Sequence, residues 1–311
     1  MSLADQVRSA LAGPQWPLPG HGHTAERWQR LADLARRDVV VGRLVEAHAD
    51  ATAILTELGR TDLLAPGQWW GVWAAEPPRP VVRAQPDPED PDPLLLDGAK
   101  PWCSGAGLCD HALITVRDAA DPDRRLLAAV ELTGPGVRVE EAWANPGMTR
   151  SATHTVHLDQ VPATRVGSGA DYLDRAGFWH GGAGVAACWA GGAEAVADTL
   201  RGSRRDDPIT LAHLGAVDAA LAGARWTLAA AAAEVDAAPE DVSAARIRAL
   251  RVRAIVEAAA ALTIDRVGRA LGAGPLCQDA EHARAVADLS IYLRQSHAER
   301  DLAGLGELVR R

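Results

Sequence analysis

Residues 97–107 read DGAKPWCSGAG. A lysine, a tryptophan, a cysteine and three glycines stand in one short run, directly after the apolar triplet Leu94, Leu95, Leu96. The run is either a turn between two strands or a surface for a flat ligand. Glycine lets the backbone bend, and tryptophan presents a wide aromatic face. What lies on either side decides between these readings.

The surrounding block, residues 67–166, is rich in proline and glycine and carries short β-type runs: WWGVWAA, LLLDGAKPWCS, HALITV, LLAAVEL, GVRVEEAW and THTVHL. Turn signals separate them, as in an antiparallel sheet or barrel. The acidic, proline-rich AQPDPEDPDP reads as a solvated connection between strands. Before this block, residues 1–66 read as helical. Thr24 is the expected N-cap, Leu44, Ala47, Ala51, Ile54, Leu55 and Leu58 keep helical spacing, and Gly59 is a stop. After it, residues 167–311 are helical again. One long helix opens at Pro208, and another runs from Glu240 and Asp241 to Gly272.

The chain has 311 residues, 48% of them hydrophobic, enough to bury a sizeable core. Its formal net charge of −9 argues against a nucleic-acid surface, which calls for clustered basic residues, so nucleic acid is not an expected partner. Phe, Tyr and Met are rare beside 10 Trp, so tryptophan supplies most of the large aromatic surface, for core or for ligand. Cys103, Cys109, Cys188 and Cys277 form no CxxC pair, and the expectation is reduced, buried thiols. The first residues lack a basic start and a long apolar core, and no apolar run has membrane-spanning length, so a soluble cytoplasmic protein is expected.

No GxGxxG follows a strand, and neither a Walker loop nor HExxH is present. Glu46 with His48, and His21 with His23, read as surface or satisfied core groups rather than metal ligands. Asp118, Asp121 and Asp123 read as turn chemistry, because the run lacks the glycine and final Glu of a calcium loop. No metal is expected.

Several stretches together resemble the acyl-CoA dehydrogenase family. Gly98, Lys100, Trp102, Cys103 and Ser104 resemble its Gly-x-Lys-x-Trp-Ile-Thr-Asn strand, and WAAEP (residues 73–77) resembles its apolar-Thr-Glu-Pro strand. Gly147, Met148, Arg150, Ser151, Thr153, Asp159, Val161 and Pro162 match its Gly-Met-Arg-x-Ser-x-Thr run and the strand after it. The segment from Gly272 is similar to its Gln-x-x-Gly-Gly segment and reaches Asp288 where the family has Arg-Asp.

The resemblance covers nearly the whole chain. It implies an α+β, acyl-CoA dehydrogenase-like fold with a shortened N-terminal helical domain (1–66), a central antiparallel β domain (67–166) and a C-terminal four-helix bundle (167–311). It also implies bound FAD. Trp102 would wall the flavin ring and the Ser104 hydroxyl would donate to it. Ala74 and Ala75 would offer backbone groups, Arg204 or Arg205 would reach the diphosphate, and Gly272 would be a further cofactor-binding position.

The sequence departs from the family where chemistry matters. Family dehydrogenases pull a proton with a glutamate, a base that works because it is held dry beside the thioester. The two places where that glutamate sits correspond to Ser296 and to Gly181. The nearest ionisable substitutes are His180, His297 and Glu299, and His180, His297 and Ser296 are the candidate catalytic positions. In SRRDDP, Asp206 and Asp207 stand where the family has Phe-Gly, and carboxylates beside a diphosphate are unfavourable.

The expected function is FAD-dependent α,β-oxidation of an acyl thioester or similarly activated substrate. Two alternatives stand beside it: a flavin oxidase or monooxygenase on the same fold, and a non-catalytic partner subunit that has lost flavin. Alanine-rich faces in the C-terminal helices point to a homo-oligomer, and the resemblance implies a homodimer or homotetramer.

Overall fold

The computed structural model describes residues 1–86 and 93–310. The acidic, proline-rich connection falls mostly on 87–92, outside the described residues. Three helices come first: α1 (Leu3–Leu11), α2 (Thr24–Arg37) and α3 (Val39–Glu57). Then come β1 (Trp70–Trp73), β2 (Val82–Pro86), β3 (Pro93–Cys103), β4 (His111–Asp118), β5 (Arg125–Glu131), β6 (Val137–Glu140) and β7 (His154–Ser168). The remainder is helical: α4 (Gly169–Leu173), α5 (Ala176–Arg201), α6 (Pro208–Ala237), α7 (Val242–Leu271), α8 (Ala273–Gln278), α9 (Ala280–Tyr292) and α10 (Glu299–Val309).

Packing divides the chain into two units rather than at residues 66 and 166. The first holds Met1–Gln15, Ala47–Ala144 and Thr149–Phe178; the second holds Trp16–Glu46, Asn145–Met148 and Trp179–Arg311. The N-terminal helices therefore form no domain of their own. The end of α3 belongs with the strands, and α2 with the start of α3 belongs with the later helices.

In the first unit, β4, β2, β3, β7 and β5 pair in succession, and β5 pairs back to β4, which closes a five-strand circuit. β1 and β6 add to it through β4 and β7. The expected antiparallel pattern holds for β2–β3, β3–β7, β4–β5, β5–β7 and β6–β7, but β4 runs parallel to both β1 and β2. Closure leaves the five strands without a free edge. Alternation then sorts the side chains. Ala112, Ile114, Val116, Leu126, Ala128 and Val130 fill one core. Leu113, Leu127 and Ala129, on the opposite face, pack with Ala51, Ile54 and Leu55 of α3 and with Tyr172. Each large side chain buried there contributes about 1.5–3 kcal/mol.

Among the described residues the second unit has no strand, and it holds more helices than the four expected. Val217, Leu221, Ala224, Leu228, Ala231 and Val235 of α6 are buried, as are Ala245, Ala249, Val252, Val256, Thr263 and Val267 of α7. With Ala259, also buried, both rows advance in steps of three and four residues, the spacing of a continuous helix seam. Helix ends follow the sequence at Pro208, at Asp241 and at Gly272, which is the C-cap of α7 with φ 70°. Two details differ. The first long helix is broken at Asp38, whose extended backbone ends α2 and whose carboxylate accepts the Val40 and Val41 N–H groups. Thr24 caps nothing of its own helix; its hydroxyl donates to Asp236 at 2.6 Å. Among the described residues no helix is long and apolar enough to cross a membrane.

Candidate functional site

Six of the ten tryptophans, at 16, 28, 69, 70, 73 and 189, are buried, whereas Trp102 is 61% exposed. Its orientation follows from the backbone. The β3–β7 ladder shifts register between Lys100 and Cys103, and Trp102 adopts φ 63°, a region that disfavours any side chain. Pro101, which has no N–H to give the ladder, sits inside this bulge. A large apolar ring is thus turned toward solvent by a strained conformation, with Trp143 edge-on at 6.3 Å. Strain of this kind costs about 1–3 kcal/mol and concentrates at ligand-binding positions.

The ground beneath the indole is rigid. Ser104 carbonyl oxygen accepts the Trp73 indole N–H at 2.9 Å. The Ser104 hydroxyl accepts from Thr153 at 3.0 Å, and Thr153 meets the fully buried Ser151 hydroxyl at 2.7 Å. Lys100 is buried and donates to the Thr115 carbonyl at 2.6 Å and hydroxyl at 2.9 Å. Thr115 in turn donates to the Ala74 carbonyl at 3.3 Å. The strand carrying Trp102 and the segment that leaves β1 at Ala74 are therefore tied through one lysine. Ala75 itself is exposed. Cys103 is a buried thiol whose Sγ donates to the Lys100 carbonyl, and burial raises its pKa, so it is structural rather than reactive.

Burial lowers the Lys100 ammonium to about 8, with Glu76 partly opposing the shift. The folded pKa lies below the unfolded one, so between about 8 and 10.5 the unfolded chain binds more protons and stability rises with pH. Denaturant unfolding of wild type against Lys100→Met cancels the other titrating groups. The difference should move in favour of wild type by up to about 3 kcal/mol from pH 7 to 10. A pH-independent difference would remove Lys100 as its source.

In the second unit, two stretches matched from sequence meet. The buried Asp288 carboxylate accepts the Met148 N–H at 2.5 Å, and Gly147 lies against the Ala287 backbone so closely that a Cβ would overlap the Ala287 carbonyl oxygen. The SRRDDP loop is occupied with helix ends. Asp207 caps α6 by accepting the Ile209 and Thr210 N–H groups, so this carboxylate is not aimed at a diphosphate. Arg205 donates to the Ala270 carbonyl at 2.7 Å, at the end of α7 beside Gly272, and is committed there. Arg204 is exposed.

The candidate catalytic positions do not converge on a base. His180 is buried with Nε2 at 2.9 Å from the Pro239 carbonyl, a helix-packing bond. Ser296 accepts the Ala298 N–H in the turn before α10. His297 is 67% exposed and 3.3 Å from Asp301. Glu299 is exposed at the start of α10. Of the metal-ligand readings, Glu46 pairs with Arg43 at 2.9 Å, and His48 Nδ1 accepts the Trp70 N–H. Among the described residues no three His, Cys, Asp or Glu side chains form a metal-binding group. Cys277 is exposed, contrary to expectation, while the other three thiols are buried.

Thr115, Trp143, Ser151 and Thr153 carry no role legible in the sequence. Ser151 and Thr153 stood in a matched motif, but only the fold shows their hydroxyls meeting Ser104. A cleft of about 1060 Å³ lies elsewhere on the first unit, lined by Arg79, Arg83, Arg138, His157 and Asp159 and including neither Trp102 nor Ser104. Carboxylates on the same strands (Asp97, Glu140, Asp159) offset its arginines, and His157 is bonded to Glu140 at 2.6 Å.

No protein-family model matches the chain, and no curated protein matches its sequence. Solved structures do match. The dibenzothiophene monooxygenase TdsC from Paenibacillus sp. A11-2 is 18% identical over 91% of this chain and 82% of that one, with a TM-score of 0.79. TdsC has also been solved in complex with FMN and indole. Methanesulfinate monooxygenase MsuC from Pseudomonas fluorescens is 19% identical over 91% and 82%, at 0.78. Nitrososynthase from Micromonospora carbonacea var. africana is 19% identical over 98% and 88%, also at 0.78. At these identities the likeness establishes the fold: the chain shares the acyl-CoA dehydrogenase-like architecture of its neighbours, mixed helix and sheet.

Proposed function

We propose that the chain is a flavin-dependent oxidoreductase of the oxygen-using, monooxygenase kind, with the flavin ring against Trp102. The observation that carries the reading is the outward indole on a strained bulge, beside a hydroxyl held from behind. The residues present fit a flat, hydrogen-bond-accepting ring: an aromatic face at Trp102, the Ser104 hydroxyl and the exposed residue Ala75. The bound flavin would supply electron transfer and, once reduced, reactivity toward dioxygen. Trp102 stacks the ring, Ser104 donates to its edge, and Lys100 with Thr115 keeps the two strands in register.

Two observations favour oxygen chemistry over oxidation of an acyl thioester. The structural neighbours TdsC and MsuC are monooxygenases by name, one of them solved with FMN. Neither position of the family's glutamate carries an acid here, and the substitute His297 is in water rather than in a dry pocket. Under this reading an anaerobic panel of acyl thioesters leaves the bound flavin oxidised, while a flavin reductase bleaches it. Bleaching by any acyl thioester would restore the α,β-oxidation reading. A protein that takes up neither FMN nor FAD would point to a non-catalytic subunit.

We further propose that the functional form is a homo-oligomer joined through α6. Its outward face carries Ala212, Gly215, Ala219, Ala230 and Ala233 around Trp226, which is 74% exposed. Small residues around one large aromatic suit close helix packing against a second copy. Trp226→Glu should raise the dissociation constant about 100-fold in sedimentation equilibrium, and unchanged association would exclude this face.

A further inference from the structure

A hydroxyl has one proton to give and two lone pairs with which to accept. Thr153 gives its proton to Ser104 at 3.0 Å, so its contact with Ser151 at 2.7 Å must run the other way, Ser151 donating to Thr153. Ser151 is fully buried and Thr153 nearly so. The Ser104 main chain is fixed as well, its carbonyl by Trp73 and its N–H by the Trp102 carbonyl at 3.1 Å. Ser104 Oγ is thus engaged as an acceptor from the buried side, and among the described residues no hydrogen bond takes its own proton; Ser104 is only partly buried and lies two residues from the exposed Trp102. The polarity of the row Ser151, Thr153, Ser104 is set from the buried end.

We infer that Thr153 is a positioning residue: backed by Ser151, it fixes the Ser104 hydroxyl as an outward donor and so selects the acceptor edge of a flat heteroaromatic ring stacked on Trp102. That the ring is a flavin rests on the function proposed above; the direction of the hydroxyls does not. Valine matches threonine in shape but cannot donate, so Thr153→Val frees Ser104 to rotate and to give its proton elsewhere. Thr153→Ser keeps the donor.

The test combines a ligand-free and a flavin-bound measurement. In the ligand-free protein, the Thr153 hydroxyl proton should exchange slowly with water by NMR; fast exchange overturns the relay whether or not flavin binds. In the bound protein, labelled with 15N at flavin N5, Ser104→Ala and Thr153→Val should shift the N5 resonance in the same direction. Each should weaken FMN binding roughly tenfold, and Thr153→Ser should restore both readings. A Thr153→Val resonance identical to wild type, with Ser104→Ala displaced, overturns the positioning role. If wild type binds neither FMN nor FAD while the Thr153 proton remains protected, the flavin reading falls and the relay stands.

Discussion

Trp102→Ala is expected to weaken flavin binding roughly 10- to 100-fold while leaving the stability of the protein nearly unchanged. The affinity change follows from stacking, worth about 1–3 kcal/mol for a flat heterocycle on an aromatic side chain. The unchanged stability follows from exposure: a side chain 61% in solvent contributes little to the core, and alanine keeps the left-handed strain. Trp102→Gly separates the two effects further. Glycine adopts φ 63° without a Cβ clash, so this variant should unfold about 1 kcal/mol higher than wild type and still lose the flavin. A residue whose removal stabilises the fold and abolishes ligand binding is held in place for the ligand. Isothermal titration with FMN and FAD, paired with denaturant unfolding, reads both. A destabilised Trp102→Gly with normal flavin affinity would make the indole structural.

Gly147→Val should destabilise the protein by about 3–5 kcal/mol. Any Cβ there overlaps the Ala287 carbonyl oxygen and comes within 2.8 Å of the Ile291 side chain, so the backbones must part. Parting them also breaks the Met148 N–H bond to Asp288. Asp288→Ala removes that bond alone and leaves a buried N–H unpartnered, for about 1–3 kcal/mol, whereas Asp288→Asn keeps an accepting oxygen and should recover most of it. Because both substitutions act on one contact, the double variant should cost clearly less than their sum. Urea unfolding and hydrogen exchange at the Met148 amide check this. Full additivity would mean the two positions do not share a contact.

Much of the architecture could be read from the residues because local chemistry agreed with the fold. The helix boundaries at Pro208, Asp241 and Gly272 follow from caps and backbone preferences that act within one turn. The motif around Gly147 and the aspartate at 288 were named separately, and the structure joins them. What the sequence did not reveal depends on distant partners. The parallel pairing of β4 with β1 and β2 leaves the same alternation along each strand as antiparallel pairing would. The break at Asp38 interrupts a run whose apolar spacing continues on both sides, and only the carboxylate's bonds to Val40 and Val41 mark it.

The site was legible in the same measure. Trp102 and Ser104 could be singled out from sequence, but the bulge that turns the indole outward is a register shift against β7. 

That register shift leaves no mark in composition or in residue spacing. The arginine at 205 and the aspartate at 207 looked like ligand and obstacle for a diphosphate. Both are spent on helix ends, a use that D-P followed by Thr at 210 already signals.

The central claim is that the surface at Trp102 and Ser104 holds a flavin. Its most direct test is to mix the purified protein with FMN or FAD, remove free flavin by gel filtration, and record the visible spectrum of the protein fraction. The account predicts a flavin band at about one per chain for wild type with at least one of the two, and its loss in Trp102→Ala. A colourless wild-type fraction with both, or a Trp102→Ala fraction as yellow as wild type, would contradict it.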